Sequence, residues 1–270
     1  MLLAARLPVR NLDDLGFEFE QIFVVFRAEP RIAHHNRFLH ARSASTADSD
    51  FHLCFQTEDG LGEIDTCKFP LAQSVGDVIA ELTALRDEEH NFRTVVIDSL
   101  DWLERLIFDE VCKEFGVRSI EKADGGYGKG YVDALVHWRK VLALLDDLRN
   151  KRGMMVILLA HAKVERFEDP ENIAYDRYAP RLHKHAASLI SEWVDAVLFA
   201  AKRLRVSKDG DSRAIAAPIG ADGGERILRT NGSPACLAKN RFSLPNEIPL
   251  RWDAFLQAYG NSVALAAAAS

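Results

Sequence analysis

Apolar residues recur along this chain in two alternating rhythms. In "VGDVIAELTALRDEEH", Val78, Ile79, Leu82 and Leu85 fall three and four apart, the spacing that gathers one face of a helix. "TVVID", Thr94 to Asp98, is a short β-branched run and predicts a buried strand. "DWLERLIFDEVCKEF" returns to helical spacing, with Trp102, Leu103, Leu106, Ile107 and Val111 as its stripe. Beyond the glycine-rich break "ADGGYGKGY", a stripe from Val132 to Leu148 predicts a longer helix ended by Gly153. "MMVILLAHA" then predicts a strand buried on both faces. "KVERFEDPENIAYDRYAP" reads as a polar loop, "RLHKHAASLISEWVDA" as a helix and "AVLFAAKRL" as a strand. "SKDGD" and "GADGGE" mark a hairpin-like region, with "RILRT" and "ACLAKNRF" as closing strands.

Alternating strands and helices predict an α/β fold: a mostly parallel sheet flanked by helices, with antiparallel strands added towards the C-terminal side. The main domain is expected over residues 55–258, followed by a low-complexity tail, 259–270. Residues 1–54 differ. "QIFVVF" has strand character, but the stretch after it has weak periodicity and few apolar anchors.

Bulk properties narrow the function classes. Acids outnumber bases by 40 to 34, for a net charge of −6, which disfavours wholesale coating of nucleic acid but permits a local basic patch. The four cysteines are scattered without a Cys-x-x-Cys pair and read as free thiols in a reducing cytoplasm. No apolar run reaches the ~18 residues that suggest a membrane span.

Three expected strand ends carry chemistry. "CFQTEDG" ends in Glu58 and Asp59, "TVVIDS" in Asp98 and Ser99, and "VILLAHA" in His161. Ligands of open parallel sheets sit at the carboxyl ends of strands, so these side chains are expected in one crevice. One acid would hold hydrated Mg²⁺, another would polarise a water, and a polar residue would sense a phosphate. Each also has a structural reading: Asp98 as a helix cap, Glu58 as a turn acid before Gly60, His161 as a core histidine. A metal-dependent hydrolase using Glu58, Asp59, Asp98 and His161 is a further, lesser reading.

From about Gln56 to Phe255 the chain resembles the phage-type RecA-like P-loop ATPases. "TEDGLGEID", "TVVIDSLDWLE", "GYGKGY", "VILLAHAKVERFEDP", "YDRYAPRLHKHAASLISEW" and "LAKNRFSLP" carry the resemblance. It implies ATP and Mg²⁺ as cofactors, with Glu58 priming water, Asp98 as the metal-holding acid with Ser99 beside it, and His161 as phosphate sensor. It also implies Lys239 and Arg241 as cations facing the nucleotide of an adjacent subunit in a homo-oligomeric ring or filament. Single-stranded DNA is the implied partner. Tyr127 and Lys129 in "GGYGKGY", and Arg181 and Lys184 in "YDRYAPRLHKH", offer stacking and phosphate contacts. Recombination is the implied setting, and the cytoplasm the implied location.

One family element is missing. A phosphate loop needs Gly-x-x-x-x-Gly-Lys-Ser/Thr, because backbone amides wrap the phosphates and the lysine bridges them. The chain's single Gly-Lys is Gly128-Lys129, with Ala123 in the first glycine slot and Gly130 in the hydroxyl slot. Between Gly16 and Gly60 there is no glycine. Residues 1–54 therefore read as an altered or disordered start, of the kind a reading-frame change produces. The expected consequence is impaired ATP hydrolysis, with a catalytically inactive, DNA-binding or scaffold remnant as the alternative.

Overall fold

The computed structural model describes residues 22–27, 52–60, 66–207, 215–219 and 224–269. Its frame is a mixed sheet flanked by helices. In chain order the first strands are β1 (Ile22–Arg27), β2 (His52–Gln56), β3 (Cys67–Lys68) and β4 (Thr94–Asp98). Next come β5 (Met155–Phe167), β6 (Tyr175–Pro180), β7 (Ala196–Lys202), β8 (Leu204–Ser207) and β9 (Ile215–Pro218). The last are β10 (Arg226–Arg229), β11 (Lys239–Asn240) and β12 (Glu247–Pro249).

The main path runs β12-β10-β7-β1-β5-β4-β2-β3, with β11 beside β7, β6 beside β5, and β8–β9 as a separate ribbon. Strands β3, β2, β4 and β5 pair in parallel. Strand β1 is antiparallel to both β5 and β7, so β7 points the same way as the parallel set. The late strands β10, β11 and β12 join antiparallel, as expected. The insertion of β1 was not expected: "QIFVVF" is a strand, but it runs against its neighbours in mid-sheet. Residues 1–21 and 28–51, the greater part of the atypical start, lie outside the described residues.

Parallel neighbours need long crossovers, and helices supply them. Helix α1 (Val75–Asp87) links β3 to β4 and starts at a capping box, in which Asp77 N–H donates to Ser74 Oγ and Ser74 N–H to the Asp77 carboxylate. Helices α2 (Leu100–Glu114) and α3 (Lys129–Arg152) link β4 to β5. Helix α4 (Lys184–Trp193) precedes β7, and α5 (Trp252–Ala269) closes the chain. The expected tail continues this last helix, where Tyr259 is buried.

Strand side chains alternate between faces, and both faces here are apolar. Val156, Leu158 and Ala160 of β5 pack with α1 to α4, whereas Met155, Ile157 and Leu159 pack on the other face with Phe255 and Tyr259 of α5. That two-sided burial explains the unbroken apolar run of "MMVILL". The polar stretch after it is not a loop. Strand β5 continues to Phe167 and folds back as β6, with Glu165 opposite Arg177 at 3.0 Å. Its largely charged, partly solvated faces leave no hydrophobic period to detect.

Candidate active site

Strands β2 and β4 are in register at Gln56 and Asp98, so the chain leaving β2 crosses directly over the end of β4. Two bonds hold it there: Thr57 N–H donates to Asp98 O at 2.8 Å, and Thr57 Oγ1 donates to Ser99 O at 2.6 Å. Glu58 is thereby fixed at the rim, and its Oε1 lies 3.9 Å from His161 Nε2 on β5. The three side chains expected to converge are brought together at one sheet edge.

Asp98 is 1% exposed; among the described residues neither of its oxygens meets a donor and Ser99 Oγ makes no bond of full hydrogen-bond geometry, although the Glu58 carboxyl lies close to both. The Asp98–Ser99 peptide is cis. Burial, then the nearby charge of Glu58, push Asp98 up to about 7. Burial also raises Glu58, against the opposing pull of His161. Two acids thus share a poorly solvated rim, each making the other harder to ionise.

Sequence reading missed two residues on α2. Asp101 is buried and binds His161 twice, accepting from its backbone N–H at 3.2 Å and facing its Nδ1 at 3.1 Å. Its other oxygen is 3.8 Å from Arg181 Nε. Burial works to raise Asp101, but the His161 bonds and Arg181 outweigh it and leave the carboxyl below its ordinary value. The same hydrogen bond raises the His161 imidazole, in spite of burial. One turn on, Glu104 accepts the His183 N–H on both oxygens, at 3.1 and 3.0 Å. Burial drives it up to about 7 against that bond. A usable signal was present: Asp98, Asp101 and Glu104 are three apart, which places successive acids on one side of a helix start.

The other expected residues are placed elsewhere. Tyr127 is fully exposed at the glycine-rich turn. Lys129 is not in that turn but opens α3, paired with Asp124 at 3.4 Å. Gly130 is a packing glycine, since a Cβ there would lie 2.3 Å from Ile120 O. Arg181 borders the acid site and Lys184 is exposed at the start of α4. Lys184, Lys239 and Arg241 line a separate cleft of 610 Å³ that none of Glu58, Asp98 and His161 borders. Within it, Lys239 Nζ donates to Ser191 O, Glu192 O and Val194 O at the end of α4, at 2.7, 3.2 and 2.6 Å. Arg241 pairs with Asp195 at 3.4 Å and is largely exposed.

A buried acid, a second acid and a histidine thus meet at the carboxyl ends of adjacent parallel strands, where open α/β sheets place their ligands. The family model for the AAA domain matches residues 43–242, nearly three quarters of the chain and all of the rim just described. The chain belongs to the AAA domain family, a nucleotide-binding ATPase class. Comparison with curated proteins and with solved structures returned no match. No helix among the described residues is long and apolar enough to cross a membrane.

The donor set fits the metal that such a nucleotide brings. Magnesium takes oxygen ligands and is commonly held by one or two carboxylates plus waters and phosphates. Asp98 supplies two oxygens that meet no donor among the described residues, and those residues contain no group of three or more acids, histidines or cysteines able to hold a metal ion on their own. The stretch where a phosphate loop is expected falls within 28–51, outside the described residues.

Proposed function

We propose that this chain binds an Mg²⁺–nucleotide at the carboxyl ends of β2, β4 and β5, in a RecA-like arrangement, and hydrolyses it weakly. The observation that carries this reading is Asp98, buried with no donor for either oxygen among the described residues and with the acid Glu58 beside it. Leaving a buried carboxylate unsatisfied costs several kcal/mol as an order of magnitude, a cost that a cation offsets.

In this reading Asp98 holds the metal, and Ser99 Oγ faces the nucleotide. When bound, the metal neutralises charge on the phosphate oxygens. Glu58 accepts the proton of the attacking water at a carboxylate oxygen; its raised affinity for protons makes it a better base near neutral pH. His161, in its doubly protonated form, which the Asp101 hydrogen bond favours, donates from Nε2 towards negative charge developing on the phosphate. Slow turnover is supported by the sequence, which lacks the glycines and lysine that cradle phosphates.

Coupling to single-stranded DNA is part of the proposal. It is supported by the exposure of Tyr127, Arg181 and Lys184 on stretches adjoining the site. Of the two cations implied for an adjacent subunit, Arg241 suits the role better, because Lys239 is bonded to carbonyls of its own chain.

Titrating the protein with a fluorescent ATP analogue, with and without Mg²⁺, tests the reading. Saturable micromolar binding that requires the metal is expected. A folded protein that binds nothing at millimolar nucleotide would instead establish the second reading, a nucleotide-blind member of the family, which the missing Gly-Lys favours.

A further inference from the structure

We propose that Asp101 is the positioning residue of this site: it fixes the orientation and tautomer of His161, so that Nε2 is the ring atom presented to Glu58. The catalytic part of that role rests on the nucleotide-site reading; the orientation does not.

The geometry leaves few alternatives. An ionised carboxylate only accepts hydrogen bonds, so Nδ1 at 3.1 Å from both Asp101 oxygens must carry its proton. The neutral ring then has its lone pair on Nε2, and any second proton it acquires goes there, 3.9 Å from Glu58 Oε1. Ring rotation is opposed because the same carboxylate also accepts the His161 backbone N–H. Asp101 is held in turn. It is 4% exposed, it projects from the first turn of α2, and Arg181 lies against its second oxygen. Arg181 N–H donates to His161 O at 2.7 Å, which closes a ring of contacts through backbone and side chains. Asp101 is bonded to His161 and lies against Arg181, and His161 is the member of that ring that faces Glu58, so Asp101 acts through His161.

The decisive measurement is the ¹⁵N spectrum of the His161 imidazole in the nucleotide-free full chain, followed upward in pH until its shifts stop moving and the ring is neutral. Assignment comes from the signal lost in His161→Gln. The wild type should show the Nδ1–H tautomer. Asp101→Asn should shift the ring to a mixture or to Nε2–H while the amide spectrum stays folded. With Mg²⁺–ATP, the same variant should lower kcat roughly tenfold or more with KM changed less than about threefold.

A wild-type ring protonated on Nε2 overturns the proposal, as does an Asp101→Asn protein with unchanged ring and unchanged kcat. If Asp101→Asn does not fold, the wild-type spectrum still decides the orientation. If the wild type turns over no ATP, the nucleotide reading fails while the ring signals independently uphold or overturn the placement.

Discussion

Two fully buried polar residues, at opposite ends of the sheet order, are treated in opposite ways. Thr230 follows β10 and is completely satisfied: its N–H donates to Asn246 O, its Oγ1 donates to Pro245 O, and Asn240 Nδ2 lies within reach of that oxygen. Asp98 ends β4 and meets no donor for either oxygen among the described residues. Both are 1% exposed or less. The antiparallel end of the sheet uses its polar groups to lock loops together. The parallel end leaves Asp98 without a donor among the described residues, which is the setting the proposed cation site calls for. An unsatisfied buried carboxylate is therefore better evidence of a site than the volume of a cleft; the 610 Å³ cleft lies elsewhere, and several of its cations are already bonded within the chain.

The largest expected effect sits on the unsatisfied side. Glu58→Gln should cut single-turnover hydrolysis by about 10²–10⁴-fold while nucleotide affinity changes less than roughly threefold. Equal loss of both would remove Glu58 from the role of base.

Asp98→Asn comes next. Because the folded carboxyl titrates near 7 rather than at its ordinary value of 3.8, the folded state binds more protons between those limits. Its contribution to stability is complete below about pH 4 and is lost as pH rises through 7. Urea unfolding at pH 8 should therefore find Asp98→Asn more stable by on the order of 2–4 kcal/mol, an advantage that disappears at pH 4. The same variant should lose Mg²⁺-dependent nucleotide binding. A loss of stability at pH 8 would mean that the carboxylate has partners in solution.

Thr230→Val should do the reverse, costing about 1–3 kcal/mol at every pH and leaving nucleotide binding alone, because it removes the donor to Pro245 O. The smallest effect is expected from Lys239→Met, which removes an ammonium from the carbonyl end of α4. A loss of about 1 kcal/mol in thermal unfolding, with hydrolysis unchanged, would mark Lys239 as a helix-end cation.

Much of the parallel half was legible in sequence because burial writes itself into spacing. "TVVID" is β4 to the residue, and the stripes from Val78 to Leu85 and from Trp102 to Val111 lie on α1 and α2. The strand ends converge as their order implied. Three features were not legible, for distinct reasons. Strand direction is absent from a run such as "IFVVF", so the antiparallel setting of β1 could come only from its neighbours. The β5–β6 hairpin is stabilised by cross-strand charge pairs such as Glu165–Arg177, and charged alternation resembles a loop. Asp101 and Glu104 are marked in the sequence only by their three-residue spacing after Asp98, because the histidines they bind lie 60 and 79 positions downstream.

The rings of Tyr131 and His183 lie face to face, 4.0 Å apart and within 8° of parallel. Tyr131 begins the helix after the glycine-rich turn, and His183 ends the segment that abuts His161 through Arg181. Two surface stretches distant in sequence are therefore one mechanical piece. That one stacked pair ties the glycine-rich turn to the segment that leads into the helix before β7.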